Sequence, residues 1–374
     1  MKKKINVLFI VDKSGFGGVQ TIAYELMKSR FPEGINIYYY FLRNINEKFS
    51  MDNISMDNVI YSKSKNRYDW TSFFEVKKII INKKIDVLHL NGNKSLIFGI
   101  LLKKMYFSNI KIINHEHGGI FDNKEWYFKI LHFGKEQIDL FICLSKYRKR
   151  LIIKKSQINP DKIRILYNFI DLKKYSTNIT QSNINKFKKN LDISDKDFVI
   201  GYMGGISKIK GIDILIESIP TLLKHLPNSK LVIAGDGPYK KNLEKYVINN
   251  NLEKNIIFLG YVKAPEKVYP MFDLLIVPSR SEAFGIVILE SMAVGVPVII
   301  SKNVPYIDGI IENVTCLKFR LNSKNDLINS VLVINRNKQL KNILIRNGFL
   351  LVQKFSLEKY IKKLSDIYAK IYTK

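Results

Sequence analysis

The stretch DLLIVPSRSEAFGIVILE, residues 273–290, contains the two patterns on which the fold prediction rests. Its first residues, Asp273–Val277, form an apolar run typical of a strand buried on both faces of a sheet. After a short polar loop, apolar residues resume at Phe284 and continue to Gly295, where a glycine ends the predicted helix. A buried strand followed at once by a helix is the repeating unit of parallel α/β sheets.

The same alternation recurs along the whole chain. The other strands predicted in the second half are Phe198–Met203, Lys230–Ala234, Ile256–Leu259, Val296–Ile300 and Thr315–Phe319. Those of the first half are Ile5–Val11, Ile35–Leu42, Ile85–Leu90, Ile110–Asn114, Ile138–Leu144 and Ile163–Leu166. Two successive sets of such strands predict two α/β domains, each with a doubly wound parallel sheet.

Polar residues gather at Asp171–Thr180, which marks the joint between the two sets of strands. We therefore expect one domain over residues 1–172 and a second over residues 173–356. Residues Leu357–Tyr372 have the apolar spacing of an amphipathic helix.

Composition excludes several classes of protein. No run of 18 apolar residues occurs, so a spanning helix is not expected. Cys143 and Cys316 both lie in apolar segments, which favours a reducing, cytoplasmic location without disulfides. The net charge of +28 is shared equally, +14 in residues 1–172 and +14 in the remainder. That even spread argues against a nucleic-acid-binding stripe, and no nucleic acid is expected as a partner.

One basic segment stands out from this even distribution. Its cations, with no acid among them, are Lys146, Arg148, Lys149, Arg150, Lys154 and Lys155. Interleaved with apolar residues, they predict a helix resting on anionic lipid headgroups, at the inner membrane face. The alternative, a basic face in contact with water only, is equally compatible with the pattern.

The two carboxylates of the opening stretch, Glu282 and Glu290, stand eight positions apart across a helix start. Eight helical residues rise ~12 Å, about the distance from a ribose to the sugar beyond a diphosphate. One carboxylate can then accept the ribose hydroxyls while the other faces the sugar. The backbone N–H groups of Phe284, Gly285, Ile286 and Val287 can hold a phosphate or sugar hydroxyls. The alternative is a pair of solvated helix glutamates.

Three further motifs follow predicted strands, where open parallel sheets bind ligands. Lys210-Gly211 precedes a helix, and its ammonium suits a diphosphate. The loop containing Gly17 and Gly18 opens another helix, and Gly235-Asp236-Gly237-Pro238 would line a nucleoside pocket. Each has a plain alternative, a surface lysine or a structural turn.

In order along the chain, these motifs are a glycine loop after strand one, a histidine near position 117, Asn168-Phe169-Ile170-Asp171, Lys210-Gly211, Gly235-Asp236-Gly237-Pro238 and the E-x7-E pair. The set resembles the retaining glycosyltransferases of family 4, and the resemblance spans nearly the whole chain. It implies the GT-B fold, two Rossmann-like domains facing a central cleft. In that family the second domain binds the nucleotide sugar, the first binds most of the acceptor, and the last helix, here 357–374, packs back on the first.

The resemblance also implies residue roles. Glu290 would bind ribose, Glu282 would contact the donor sugar or diphosphate, and Lys210 would pair with the phosphates. Gly17, Gly18, Gly205 and Gly235 would line the donor site. No metal or other cofactor is expected, because Lys210 and the helix N-termini would neutralise the departing diphosphate.

Three histidines lie at predicted strand ends: His89, His115 and His117. The family places a histidine facing the donor sugar at the second of these ends, which favours His117, with His115 almost as well placed. His89 and His115 are further candidates for acceptor contacts. A metal site from His115, Glu116 and His117 is disfavoured, since no further ligand is evident.

Two departures from the family pattern stand out. Gly205 occupies the position of an arginine that usually contacts the phosphates, and Lys208 or a basic residue of the other domain would have to compensate. Phe169 stands where a glycine is common, at the interdomain connection.

These features predict hexosyl transfer from a nucleotide-diphosphate sugar to a hydroxyl acceptor, by resemblance a lipid-linked glycan of a surface polysaccharide. The first alternative is a sugar-nucleotide epimerase of the same architecture. The second is a nucleotide-sugar-binding protein without catalysis.

Overall fold

The computed structural model describes residues 4–15, 17–43, 56–64, 66, 69–117, 125–176, 180–282, 284–304 and 307–373. The chain divides into two compact units. Unit 1 comprises residues 1–169 and 358–374, and unit 2 comprises residues 170–357.

Unit 1 is built on a parallel sheet of seven strands in the order β3-β2-β1-β4-β5-β6-β7. Its strands are β1 (Ile5–Val11), β2 (Ile35–Phe41), β3 (Val59–Tyr61), β4 (Val87–Asn91), β5 (Lys111–Glu116), β6 (Leu140–Cys143) and β7 (Ile163–Ile165). Its helices are α1 (Gly18–Met27), α2 (Thr71–Asn82), α3 (Asn93–Met105), α4 (Glu125–Gly134) and α5 (Lys146–Ser156). The sequence predicted every strand except β3, which is three residues long, half-buried and at the sheet edge.

Unit 2 contains a second parallel sheet, of six strands, in the order β10-β9-β8-β11-β12-β13. Its strands are β8 (Phe198–Met203), β9 (Ser229–Ala234), β10 (Ile256–Gly260), β11 (Leu274–Val277), β12 (Val298–Ser301) and β13 (Leu317–Phe319). Its helices are α6 (Leu172–Tyr175), α7 (Gln181–Lys189), α8 (Ile212–Ile216), α9 (Ile219–Leu223), α10 (Lys240–Asn249), α11 (Ile286–Ala293), α12 (Lys324–Arg336) and α13 (Lys338–Val352).

The two sheets confirm the predicted α/β fold class. Central strands such as Val87–Asn91 and Leu274–Val277 are buried along their whole length. Near-continuous apolar sequence is what a strand covered on both faces requires, which is why these strands could be found in the sequence.

Each sheet has a switch point where the strand order reverses, between β1 and β4 in unit 1 and between β8 and β11 in unit 2. Open α/β sheets bind ligands outside the carboxyl ends of the strands at such a switch point. The predicted motifs at Gly17, Lys210 and Glu282 all lie on loops that follow these strand ends.

The chain passes between the units at 169/170 and again at 357/358. The two ends of unit 2 are joined to each other: Ile170 and Ser356 form a parallel bridge, and Leu357 N donates to Ile170 O over 3.1 Å. Phe169, the last residue of unit 1 before the chain enters unit 2, is buried and packs on the ring of Tyr360, with centroids 4.6 Å apart.

The last helix, α14 (Leu357–Tyr372), follows unit 2 in the chain and contributes its apolar face to unit 1. Its buried residues include Tyr360, Leu364 and Tyr368. Tyr368 reaches the sheet, where its hydroxyl lies 2.7 Å from Nδ1 of His89. In the described part of the chain no helix has both the length and the apolar character needed to cross a bilayer.

Candidate active site

In unit 2, glycine lets the two switch-point loops touch. Gly211 has φ 66, in the left-handed region, and a Cβ atom there would overlap with the carbonyl oxygen of Pro278. Any other residue would therefore separate the loop after β8 from the loop after β11. This contact brings Lys210 beside Glu282, 72 positions later.

Lys210 and Glu282 form an ion pair. The ammonium donates to both carboxylate oxygens, at 2.9 Å to Oε1 and 2.7 Å to Oε2. Ser279 Oγ donates to Oε2 over 3.2 Å. The side chain of Glu282 is 11% exposed and that of Lys210 is 30% exposed, so the pair is partly accessible to solvent and not in the core.

A second ion pair fixes the backbone next to this one. Arg280 binds both oxygens of Asp213 at 2.7 Å and donates to Lys208 O over 2.6 Å. Its hydrogen bonds to Asp213 raise the pKa of Arg280. Sequence reasoning missed this pair, because no local spacing connects two residues 67 positions apart.

The start of α11 adds backbone donors to the pair. Gly285 caps the helix with φ 74, and the N–H groups of Ile286 and Val287 lie in the first turn. Phe284 is buried against Phe355, with ring centroids 6.1 Å apart, which anchors the loop before the helix. Of the predicted E-x7-E segment, only Ala283 lies outside the described residues.

Glu290 lies in the last turn of α11 and is held by two tyrosines. Tyr269 donates its hydroxyl to Glu290 Oε2 over 2.6 Å, and Tyr175 contributes a second hydrogen bond. Burial raises the pKa of Glu290, an effect that these hydrogen bonds oppose. The structure thus supports this carboxylate with hydroxyl donors, which the sequence did not indicate.

The other motif glycines of unit 2 differ in whether a side chain would fit at their position. A Cβ on Gly235 would overlap with Gly204 O, and one on Gly237 would overlap with Ile206 O, so both let the β9 loop pack on the β8 loop. Gly205 is different, because its nearest neighbour would be Asp236 O at 3.9 Å. There is therefore space for a side chain at 205, the position of the family's arginine.

In the same loop Lys208, the proposed substitute for that arginine, has its ammonium 5.7 Å from the ring centroid of Tyr239. In unit 1, Gly17 caps α1 and Gly18 is its first residue, so backbone donors follow the glycine loop as predicted. Phe16, between the first two glycines of that loop, lies outside the described residues.

The three predicted histidines form a connected group in unit 1. His89 Nε2 is 3.1 Å from His115 Nδ1, and the rings of His115 and His117 have centroids 4.0 Å apart. Asn91 Oδ1 lies 2.7 Å from His117 Nε2. Burial lowers the pKa of His117 to about 3 and the pKa values of His89 and His115 well below 6.5, so all three are neutral at pH 7.

The three histidines differ in their exposure to solvent. His89 and His115 are fully buried, whereas His117 is partly exposed. His117 is therefore the best placed of the three for a ligand, and Gly118, which follows it, lies outside the described residues. Within the described ranges, no three His, Cys, Asp or Glu side chains are grouped so as to hold a metal ion.

The basic segment needs one correction. Arg148 was expected to face lipid, but it is buried and forms an ion pair with buried Glu116. Three turns of helix cannot expose every residue, and Arg148 lies on the side of α5 that faces the sheet. Lys149 is half-buried and donates to Ile163 O over 3.2 Å. The exposed cations of the segment are Lys146, Arg150, Lys154 and Lys155.

Two sequence families match the chain. The family described as "Glycosyltransferase Family 4" matches residues 16–174, and "Glycosyl transferases group 1" matches residues 183–351. The two matches fall on either side of residue 175, near the predicted joint.

Similar proteins include two from Escherichia coli. The O-antigen biosynthesis glycosyltransferase WclY is 28% identical over 68% of this chain and 71% of its own length. The UDP-Gal:alpha-D-GlcNAc-diphosphoundecaprenol alpha-1,3-galactosyltransferase is 25% identical over 80% of this chain and 79% of its own length.

Among solved structures, Anabaena HepE in complex with UDP-glucose superimposes with a TM-score of 0.84 at 18% identity, covering 98% of this chain and 100% of HepE. The parallel sheets and this likeness establish the GT-B fold. With both halves matched and the motifs in place, the chain belongs to the family 4 glycosyltransferases and is a hexosyltransferase.

Proposed function

We propose that this enzyme transfers a hexosyl unit from a nucleotide-diphosphate sugar to a hydroxyl acceptor and retains the anomeric configuration. The observation that carries the proposal is the ion pair of Lys210 and Glu282 at the start of α11, with Glu290 at its other end. Retention is supported by the resemblance of these motifs to the retaining enzymes of family 4.

The charges of this arrangement suit a departing diphosphate. Negative charge grows on the leaving group in the transition state, and the Lys210 ammonium and the N–H groups at the α11 N-terminus can stabilise it. Lys210 then exchanges part of its bond to Glu282 for a phosphate oxygen. The released Glu282 carboxylate can accept a sugar hydroxyl or stabilise the oxocarbenium-like sugar.

Glu290 is proposed to accept the two ribose hydroxyls. Tyr269 and Tyr175 fix the carboxylate in place, so binding ribose costs little side-chain entropy. We propose that no metal takes part, since Lys210 can supply the positive charge that a cation would supply. Turnover in excess EDTA tests that point, and loss of activity restored by Mg²⁺ or Mn²⁺ would contradict it.

The acceptor is proposed to be a lipid-linked glycan in surface polysaccharide biosynthesis. The support comes from relatives: WclY is named for O-antigen biosynthesis, and the galactosyltransferase for a diphosphoundecaprenol substrate. Such an acceptor lies at a membrane, so the enzyme needs a surface that meets lipid.

Helices α4 and α5 of unit 1, which pack on each other, offer such a surface. On α4, Trp126 and Phe133 are seven positions apart, hence on one face, and are 42% and 80% exposed. On α5, Tyr147 is 46% exposed among the four exposed cations named above. Aromatic side chains and lysines are what anionic bilayers attract at their interface.

Sedimentation with vesicles tests the membrane contact. Vesicles containing phosphatidylglycerol should retain the protein, and vesicles of phosphatidylcholine alone should not. Phe133→Ser should weaken retention severalfold, whereas Phe349→Ser, on α13 of unit 2, should not. Equal binding of both variants and the wild type would contradict the assignment of this surface.

The reaction itself is tested in two steps. A thermal-shift screen against UDP-, GDP- and ADP-sugars identifies the donor, because a ligand of the folded state raises Tm. The stabilising donor is then incubated with membrane lipid extract, and the anomeric configuration of the product is read by NMR.

The outcomes separate the alternatives. Nucleotide release that depends on acceptor supports transfer, and an α-linked product from an α-linked donor supports retention. Conversion of the sugar nucleotide without acceptor would show the epimerase, and binding without turnover would show the non-catalytic protein. Either of the last two results would overturn the proposal.

A further inference from the structure

Asn91, the last residue of β4, has an amide whose orientation is fixed by its surroundings. It is buried, and its Nδ2 group donates to Ile10 O over 3.1 Å and to His89 O over 3.2 Å. The opposite orientation would place Oδ1 against two carbonyl oxygens, none of which can donate. Oδ1 is therefore the atom that faces His117.

This orientation determines the tautomer of His117. Asn91 Oδ1 lies 2.7 Å from His117 Nε2, and an amide oxygen can only accept, so Nε2 carries the proton. Although the residue as a whole is partly exposed, the protein packed around its ring lowers the pKa of His117, so the imidazole is neutral and has one proton. His117 Nδ1 must then carry a lone pair.

No described residue donates a hydrogen bond to that lone pair. His117 Nδ1 is buried and finds no hydrogen-bond partner among the described residues. The ring cannot turn freely to find one, since it contacts the tilted ring of His115, with centroids 4.0 Å apart, and is held by the hydrogen bond to Asn91. A buried acceptor held in this way is complementary to a hydroxyl donor.

We propose that Asn91 is a positioning residue for glycosyl transfer: it holds His117 as the Nε2–H tautomer, so that Nδ1 accepts a hydrogen bond from a substrate hydroxyl. The inference rests on the proposed function, which supplies the sugar. It specifies the direction of the hydrogen bond between His117 and the substrate: Nδ1 accepts, and the substrate hydroxyl donates. It also excludes His117 as a general acid, since Nδ1 holds no proton to give.

His89 and Tyr368 help to fix the position of the His117 ring through His115. Tyr368 OH lies 2.7 Å from His89 Nδ1, and His89 Nε2 lies 3.1 Å from His115 Nδ1. These bonds hold His115, whose ring contacts that of His117. The orientation of His117 thus depends on side chains from β4, β5 and α14.

The tautomer can be measured without any substrate. Long-range 1H–15N spectra of protein labelled in its five histidines distinguish protonated from unprotonated ring nitrogens, and His117→Gln assigns the signal. We expect Nε2–H and an unprotonated Nδ1 for His117 throughout neutral pH. In Asn91→Leu, which keeps the volume but cannot accept, the two tautomers should mix. A proton on Nδ1 in the wild type would overturn the proposal.

Kinetics with donor analogues that each lack one hydroxyl supply the second readout. Asn91→Leu should lower kcat/KM about tenfold with the complete donor, the equivalent of one lost neutral hydrogen bond. With the one analogue that lacks the hydroxyl bound by His117, the substitution should change kcat/KM little. The same loss on every analogue would show a merely structural role and overturn the proposal.

Asn91→Asp gives a variant with a different signature. Its carboxylate still accepts from Nε2–H but favours the charged imidazolium, which raises the pKa of His117. Activity should then fall as pH decreases, because the imidazolium carries a proton on Nδ1 and cannot accept. A pH profile identical to the wild type in a folded Asn91→Asp protein would contradict the role. Should no donor support transfer, the proposed function fails, while the spectra still decide the tautomer.

Discussion

The carboxyl edges of the two sheets have a similar strand order and different chemistry. At the switch point of unit 2, charged side chains meet: Lys210 with Glu282, and Arg280 with Asp213. At the corresponding edge of unit 1 the connected group is neutral, three histidines and Asn91, while the nearby carboxylate of Glu116 is paired internally with Arg148 and that of Asp12 caps the start of α3. The unit 2 groups are partly exposed, and most of those in unit 1 are buried.

The difference shows what each edge is suited to bind. Cations and helix N–H groups stabilise an anion such as a diphosphate, and they keep their charge because solvent reaches them. Neutral, buried imidazoles offer lone pairs and N–H groups to hydroxyls without attracting an anion. The two edges therefore suit two kinds of ligand, because different residues stand at the carboxyl ends of their strands.

The largest effect is expected for Glu282→Gln, which tests whether the charged edge of unit 2 takes part in the reaction. If the carboxylate stabilises the transition state, kcat should fall by about 10²–10³-fold, while nucleotide affinity measured by calorimetry is largely kept. Glu312→Gln, in the exposed pair with Lys302, is the matched control and should behave as the wild type. Wild-type turnover in Glu282→Gln would show that the Glu282 carboxylate does not stabilise the transition state.

Gly211→Ala tests the loop contact that creates the charged site. The residue has φ 66 and its Cβ would overlap with Pro278 O, so we expect a loss of more than about 2 kcal/mol in the free energy of unfolding. Gly205→Ala, in the same loop but with open space, should change it by less than about 0.5 kcal/mol. Urea unfolding measures both, and equal effects would contradict the geometry.

Lys210→Ala should affect binding more than folding. Losing a charged hydrogen bond to phosphate weakens nucleotide affinity by about tenfold or somewhat more, which calorimetry with the nucleoside diphosphate would show. Lys230→Ala, whose ammonium bonds Lys254 O away from the site, serves as the control. Unchanged affinity in Lys210→Ala would assign the diphosphate to other residues.

The smallest effect concerns the neutral histidines of unit 1. The pKa of His117 is about 3 when folded and about 6.5 when unfolded, so only the unfolded chain takes up its proton as pH falls below 6.5. Stability from this residue is complete above pH 6.5 and decreases below it, by at most about 1.4 kcal/mol per pH unit. His117→Gln should reduce that slope in urea unfolding between pH 6 and 5, and His225→Gln, an exposed position, should not.

Much of the fold could be predicted because its signals are local. Apolar runs buried on both faces, such as Ile5–Val11 and Leu274–Val277, need no knowledge of their partners. The edge strand Val59–Tyr61 was missed since it is short and only half-buried. The motif glycines and the E-x7-E spacing could be read for the same local reason, although their roles stay predictions.

The partners of the site residues could not be predicted. Arg280 with Asp213, Tyr269 with Glu290, and Arg148 with Glu116 are each separated by tens of residues. Periodicity describes one element at a time and contains no information on which loops the sheet brings together. The burial of Arg148 is the clearest case, because a charge run along the sequence does not reveal which side of the helix meets the sheet.

The pairing of Ile170 with Ser356 has a consequence for how the chain folds during synthesis. Unit 2 is an insertion whose two ends close on each other, so it can complete its sheet while unit 1 still lacks α14. Tyr368 leaves the ribosome 279 residues after His89, its partner. Until then the three histidines of unit 1 lack the side chains of α14, so the nascent protein can hold a folded unit 2 while unit 1 is incomplete.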